Sequence, residues 1–190
     1  MFTIETNRQF YELMPRFVED RHIEYISGRF LSSIERQFEW NGQQFTFVIT
    51  PAVLHDDHRG GKHHFPGIRE QAVEKALRYF ASKECPDFSD EESILVISLD
   101  KLSRKLSKAV KNQVMTSDEI EKSLQILADT RYQLINDFVE TGFYIIEEIS
   151  RMNLYGVINY RIKLSRIFLG KCESYDCVFS LLARDTNNKK

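Results

Sequence analysis

Apolar side chains recur along this chain with two periods, and the switches between them mark its elements. Phe10, Leu13, Met14, Phe17 and Val18 fall three or four apart within residues 7–31, the stripe of a helix that Pro15 would end or kink. Ile34, Phe38 and Trp40, then Phe45, Phe47 and Ile49, flank Asn41-Gly42-Gln43-Gln44. Asn-Gly tolerates two positive φ angles, so this stretch reads as a β-hairpin whose second strand Pro51 closes. Residues 55–64, His-Asp-Asp-His-Arg-Gly-Gly-Lys-His-His, hold no apolar residue and read as a loop. Pro66 then opens a helix with Ile68, Ala72, Val73, Ala76, Leu77 and Phe80 on one face and charged residues on the other; Cys85-Pro86-Asp87 terminates it.

Ile94-Leu95-Val96-Ile97 has the length and branching of a short buried strand. Leu99, Leu102, Leu106 and Val110 continue it as an amphipathic helix, and a polar turn over 111–115 follows. Thr116 with Glu119 has the form of a capping box, opening a third helix that buries Ile120, Leu124 and Leu127. Arg131–Phe138 and Phe143–Ile149 read as strands joined through Glu140-Thr141-Gly142. In the last strand Ile158, Tyr160, Ile162 and Leu164 alternate with Asn159, Arg161, Lys163 and Ser165, one side core and the other facing solvent or a partner. Helix, short strand, helix, tight turn, helix and long hairpin is the order of a winged helix-turn-helix. The expected class is α+β: an N-terminal helical segment over 1–33, a winged-helix domain with its preceding hairpin over 34–165, and a C-terminal segment with a polar tail over 166–190.

Composition narrows the function classes. With 190 residues, 42% hydrophobic and 12% aromatic, the chain has material for a real core. A net charge of −2 excludes a protein that coats nucleic acid by bulk positive charge. No apolar run reaches the roughly 18 residues of a membrane span, and the start lacks the pattern of a secretion signal. Three cysteines, Cys85, Cys172 and Cys177, make no disulfide framework; Cys172 and Cys177 are expected as free thiols, and Cys85, beside a helix end, as packed or idle. A soluble cytoplasmic protein is the expectation.

The small net charge conceals segregation. Residues 99–112 carry Lys101, Arg104, Lys105, Lys108 and Lys111 against Asp100, a net of +4. Residues 151–171 carry Arg151, Arg161, Lys163, Arg166 and Lys171 and no acid, +5. The helix over 117–129 sets Lys122 against Asp118, Glu119, Glu121 and Asp129, −3. In a helix-turn-helix that reads DNA this helix would lie in the major groove, and four carboxylates oppose that. Its outward set would be Asp118, Glu121, Lys122, Gln125 and Asp129, of which only Lys122 and Gln125 suit DNA. Two readings of the basic segments stand. Either they form a phosphate-contacting surface, or the lysines are a solvated helix face and the strand cations pair with Glu147 and Glu148.

Other chemistry is sparse. His55, Asp56, Asp57, His58, His63 and His64 offer metal-ligand groups, but Gly60-Gly61 interrupts the cluster and no metal is expected. Cys172 and Cys177 are two thiols without a second pair. Glu147 and Glu148, adjacent on a strand, should face opposite ways and make no carboxylate pair. Gly60-Gly61 is not followed by Lys-Ser/Thr, so no phosphate loop exists, and no nucleophile elbow is present. No catalytic residue, cofactor or small-molecule substrate is expected, and the chain is not read as an enzyme.

The stretch Phe65-Pro66-Gly67-Ile68-Arg69-Glu70-Gln71-Ala72-Val73-Glu74-Lys75-Ala76-Leu77-Arg78, after Ile49-Thr50-Pro51-Ala52, and the helix Thr116–Leu127 carry a resemblance. Over residues 34–150 the chain resembles the first winged-helix domain of bacterial plasmid replication initiator proteins. That resemblance implies a plasmid-encoded protein at a replication origin, a homodimer whose first winged helix serves dimerisation and secondary DNA contact. A second winged helix would read the origin repeats, and 165–190 is too short to hold one. The expectation is a fragment or a stand-alone derivative that dimerises near the N-terminal hairpin. It would touch double-stranded DNA through Lys101, Arg104, Lys105, Lys108, Lys111, Arg161 and Lys163. The alternative is a protein–protein interaction module on the same scaffold that does not bind DNA.

Overall fold

Phe10 and Tyr11 bury one side of helix α1 (Ile4–Leu13), which stops before Pro15 because a proline ring cannot continue it. The computed structural model describes residues 4–19, 25–26, 29–56, 60–84, 94–109, 115–137 and 139–165. The helical stripe expected across 7–31 thus ends early. Val18 donates its N–H to Pro66 O at 2.8 Å, and β1 (Tyr25–Ile26) pairs with β2 (Arg29–Phe30).

The Asn-Gly hairpin forms as expected. Strands β3 (Ile34–Trp40) and β4 (Gln43–Thr50) pair from Ile34↔Ile49 to Trp40↔Gln43. Asn41 at φ 50° and Gly42 at φ 75° supply the two positive angles of a type I′ turn. The described residues of the polar stretch 55–64 are strand and not loop. Strand β5 (Ala52–Asp56) pairs with β6 (Gly60–His64) from Ala52↔His64 outward. Pairing is a backbone property, and the hairpin is anchored at its inner end by buried Ala52 and Phe65. Gly61 is needed there: a Cβ would lie 2.5 Å from Val53 Cγ1.

Helix α2 (Ile68–Glu84) buries Val73, Ala76, Leu77, Phe80 and Ala81. Strand β7 (Ile94–Ser98) leads directly into α3 (Leu99–Ala109), and α4 (Ser117–Asp129) follows. The capping box at its start is complete: Glu119 N–H donates to Thr116 Oγ1 at 3.3 Å, and Thr116 N–H donates to Glu119 Oε2 at 2.9 Å. At its end the Thr130 hydroxyl donates to Ile126 O at 2.7 Å.

Beyond α4 the strands differ from expectation. Strand β8 (Arg131–Asn136) turns into β9 (Val139–Phe143), so Glu140, Thr141 and Gly142 lie within a strand. Gly142 read as a turn because it lacks a side chain; here a Cβ would press on the Arg131 guanidinium, 3.2 Å from Nη2. The long hairpin is β10 (Ile146–Leu154) with β11 (Val157–Leu164), turning at Tyr155 (φ 54°) and Gly156 (φ 81°).

Two antiparallel sheets organise the molecule, in strand orders β3-β4-β8-β9 and β10-β11-β7. The hairpin β8-β9 therefore joins the N-terminal hairpin, interrupting the expected run from third helix to wing. The class is α+β. Phe10 meets Phe38, Trp40 and Phe45 at ring distances of 5.7, 5.7 and 5.4 Å, which docks α1 on the first sheet. Leu95, Ile97, Tyr160, Ile162 and Leu164 line the buried face of the second sheet, and one apolar cluster joins both to the helices.

Candidate nucleic-acid interface

Leu99, Leu102 and Leu106 set the inner face of α3, and the Ser98 hydroxyl accepts from Lys101 N–H at 3.2 Å to start the helix. Lys101 and Arg104 are turned outward and exposed, and Lys105 is half-buried. Two aromatic rings of α2 lie beneath them. Lys105 Nζ stands 3.2 Å from the Tyr79 ring centroid, Lys83 Nζ 4.6 Å from the same ring, and Lys101 Nζ 5.2 Å from Phe80. Each such contact with a ring quadrupole is worth roughly 0.5–1 kcal/mol at an exposed site. The structure thus adds Lys83 and Tyr79 to the basic set found by charge counting. Their four-residue spacing on α2 was the available signal, since it puts both on one helix face. Lys108 belongs to α3, though its side chain, all of Lys111, and the acid-bearing connection 85–93 lie outside the described residues, as do Arg166, Lys171 and the three cysteines.

The strand cations sit elsewhere. Arg161 pairs with Val96 of β7 and Ser150 of β10 in the register, on the sheet face opposite buried Tyr160 and Ile162. Arg161 Nη1 is 3.8 Å from Glu148 Oε2, and Lys163 Nζ is 3.2 Å from Glu147 Oε2 and 3.4 Å from Glu148 Oε1. The Glu147 hydrogen bond and charge, with Glu148 behind them, hold the Lys163 ammonium above its usual range. The expectation that Glu147 and Glu148 point opposite ways is corrected. A register shift between Ile146 and Glu148 breaks the alternation and lets both carboxylates reach Lys163. The pairing reading of the strand cations is what the geometry displays.

Helix α4 exposes Asp118, Lys122, Gln125 and Asp129, with Glu121 half-buried. Its acids meet flanking arginines: Glu119–Arg69 at 2.8 Å and Glu121–Arg151 at 3.8 Å. The Thr116 backbone hydrogen bond, with Arg69 nearby, holds the Glu119 carboxyl below its usual range. Gln125 Nε2 donates to Asp129 Oδ2 at 2.8 Å.

A buried charged cluster binds α1 to α2. Glu74 Oε1 accepts from Tyr11 OH at 3.0 Å, from Arg16 Nη2 at 3.3 Å and from Arg78 Nη2 at 3.0 Å. Arg16 stacks over the Tyr11 ring at 3.7 Å and donates to Tyr11 O, while Arg78 donates to Glu12. Burial, then the Glu74 charge, pushes the Tyr11 phenol well above its usual range. A cleft of about 290 Å³ opens beside these groups, lined also by Arg36 and Lys75. Glu70 plays a second bridging role, accepting from Ser123 Oγ (2.7 Å) and Gly67 N–H (2.8 Å).

In the polar hairpin His63 Nδ1 lies 2.9 Å from Leu31 O. Among the described residues no three His, Cys, Asp or Glu side chains converge as a metal site, and no helix is long and apolar enough to cross a membrane.

No protein-family model matches the chain, and no curated protein matches it. Solved structures do. A selenomethionine structure of domains 2 and 3 of RctB superposes with a TM-score of 0.54 and 9% identity, over 98% of this chain and 62% of that one. A second structure of RctB domains 2–3 gives 0.53 and 9%, over 87% and 60%. This chain therefore spans about three-fifths of the structures it matches. At such identity the likeness is one of fold.

Proposed function

We propose that this is a replication-initiator-like protein on a winged-helix scaffold, acting by binding and not by catalysis, which lies on duplex DNA through its phosphate backbone. The chain order α2, β7, α3, α4, with β7 added to the edge of the β10-β11 hairpin, supports the scaffold. The fold shared with RctB, a replication initiator, supports the role. The observation that carries the DNA reading is the outward basic face of α3, with Arg104 exposed and Lys101 and Lys105 held over aromatic rings of α2. Lys108 and Lys111 extend that run in the sequence. Arg161 and Lys163, engaged by Glu147 and Glu148, contribute less. Such contacts position a protein on DNA without reading its bases. The acidic α4 is not inserted in a groove. A plasmid origin in a bacterial cytoplasm is the setting this reading implies, with a homodimer formed near the N-terminal hairpin.

Mobility shift with a random-sequence duplex over a salt series tests it. Affinity should fall steeply with salt, and Lys101→Ala with Arg104→Ala should flatten the dependence by about 0.9 per lost phosphate contact. No shift at about 50 mM salt overturns the reading. The acidic α4 favours one rival, a protein-interaction module, which would form a stable oligomer or heterocomplex and leave DNA unshifted.

A further inference from the structure

The chain makes the same two-residue turn twice, with different residues. Asn41-Gly42 closes β3-β4 at φ 50° and 75°, and Tyr155-Gly156 closes β10-β11 at φ 54° and 81°. Asparagine is at home at the first of these positions, whereas a bulky ring is disfavoured there. The Tyr155 side chain is fully exposed, so no packing within the chain offsets that cost. Strain retained where the fold gains nothing from it implies an outside contact at the tip. Leu154 and Val157, the last pair of the ladder, are exposed on either side of the turn. From Met152 to Tyr160 there is no charged residue, in a chain that is 28% charged. The tip is thus an apolar knob with no cation of its own to meet phosphate. It is also braced: the Asn159 side-chain amide donates to Val157 O at 3.0 Å.

The same hairpin carries a hollow. Arg151, Met152, Asn153, Gly156 and Ile158 line a concavity of about 330 Å³. A cavity of about 150 Å³ holds a benzene ring, so this one has room for a phenol. Its walls suit one. Met152 and Ile158 offer apolar contact, and the exposed Arg151, its Nε 3.8 Å from Glu121, can lie over a ring face. The amide of exposed Asn153 can bond a hydroxyl. Tyr155 does not line this hollow, so knob and hollow are both open on one element. A two-fold axis between two such hairpins puts each ring in the other's hollow at once, the form of a closed isologous pair. Any other partner would use one of the two features and leave the other in water.

We propose that the β10-β11 tip is a contact between copies of this chain, in which Tyr155 of each molecule enters the other's hollow beside Met152 and Ile158. A tyrosine buries roughly 150–250 Å². Two of them with their flanks stay below the roughly 1,200 Å² of a stable complex, so the contact is weak in free solution. It is separate from the pairing near the N-terminal hairpin, and it does not depend on DNA binding.

Sedimentation velocity of the full chain between about 10 and 500 μM, the range of a weak contact, tests the proposal. The parent should associate further as concentration rises. Tyr155→Asn keeps the turn and should weaken that association about tenfold or more, the loss expected of a hot-spot tyrosine. Met152→Arg, which fills the hollow with a charged side chain, should do the same. An equal mixture of the two variants should recover part of the association, because Tyr155 of one meets the open hollow of the other. Circular dichroism of each variant establishes that the fold is retained. If Tyr155→Asn sediments as the parent does at every concentration, the proposal is overturned. If the mixture associates no more than either variant alone, the reciprocal pairing is overturned. If Tyr155→Asn leaves self-association unchanged but weakens duplex binding, the tip faces DNA and the self-contact falls.

Discussion

Replacing Glu74 with glutamine removes the negative charge shared by Tyr11, Arg16 and Arg78 while keeping the side chain's shape. Glu74 is 2% exposed and Arg16 5%, so neither charge can be compensated by water. Removing one partner of a buried pair costs about 3–5 kcal/mol, because the other charge is stranded. Glutamine keeps a carbonyl that can accept from Tyr11 OH, Arg78 retains Glu12, and Arg16 keeps as ion pair only the longer contact to Glu12 at 3.9 Å, so the expected loss is about 3 kcal/mol. At about 2–4 °C per kcal/mol for a chain of this size, the melting temperature should fall by roughly 6–12 °C. Urea unfolding followed by circular dichroism reads the free energy directly. Arg16→Met in the Glu74→Gln background removes the stranded guanidinium, so the double variant should lose less than the two single losses combined, with a coupling of about 1 kcal/mol or more. A loss below about 1 kcal/mol for Glu74→Gln, or strict additivity, would refute the view that this cluster latches α1 to α2.

Tyr155→Asn should stabilise the fold by about 0.5–1 kcal/mol, since an aromatic residue at φ 54° bears a penalty that asparagine largely avoids; a lower urea midpoint would contradict this. Alkaline pH should weaken the fold. Burial pushes Tyr11 and Tyr132 well above the usual phenol range, and burial with Glu121 pushes Tyr160 up to about 12. These phenols stay protonated when folded but ionise near pH 10 when unfolded, so their stabilisation is intact below about 10 and is lost as pH climbs towards the folded values. A urea midpoint that stays flat between about pH 9 and 11.5 would count against it.

How legible the molecule is depends on the range of the interaction that decides each element. Asn41-Gly42, the Thr116/Glu119 box and the alternation of Ile158–Leu164 are decided within a few residues, and all three read correctly. The β5-β6 hairpin did not, because its pairing rests on main-chain bonds closed by Ala52 and His64 and not on any apolar alternation. Gly142 misled for a related reason: a residue that reads as a turn former is one that Arg131 covers. At the candidate interface, Lys101, Arg104 and Lys105 were visible as a helix face. Lys83 was not, since only the packing of α2 against α3 brings it to their side. Glu74 falls outside the apolar stripe of α2, yet α1 packs over it, and that is tertiary information. The bulge at Ile146/Glu148 was equally invisible, and with it the joint grip of Glu147 and Glu148 on Lys163.

The first sheet is assembled from two separate parts of the chain. Strand β4 meets β8 from Thr46↔Ile135 to Thr50↔Arg131, and the whole of α2, β7, α3 and α4 lies between. Closing so long a loop carries an entropic cost before any ladder bond is made, and non-local pairing of this kind slows folding. During synthesis, the β3-β4 hairpin must wait for roughly eighty further residues before its open edge is covered. Until then Thr46–Thr50 is a bare strand edge, and a second nascent chain offers it the same partner as its own β8. Exchange of β8-β9 between two molecules is therefore the misassembly this topology invites. It also means that cutting the chain anywhere between β4 and β8 divides one sheet, so the helical layer cannot be excised without exposing strands on both pieces.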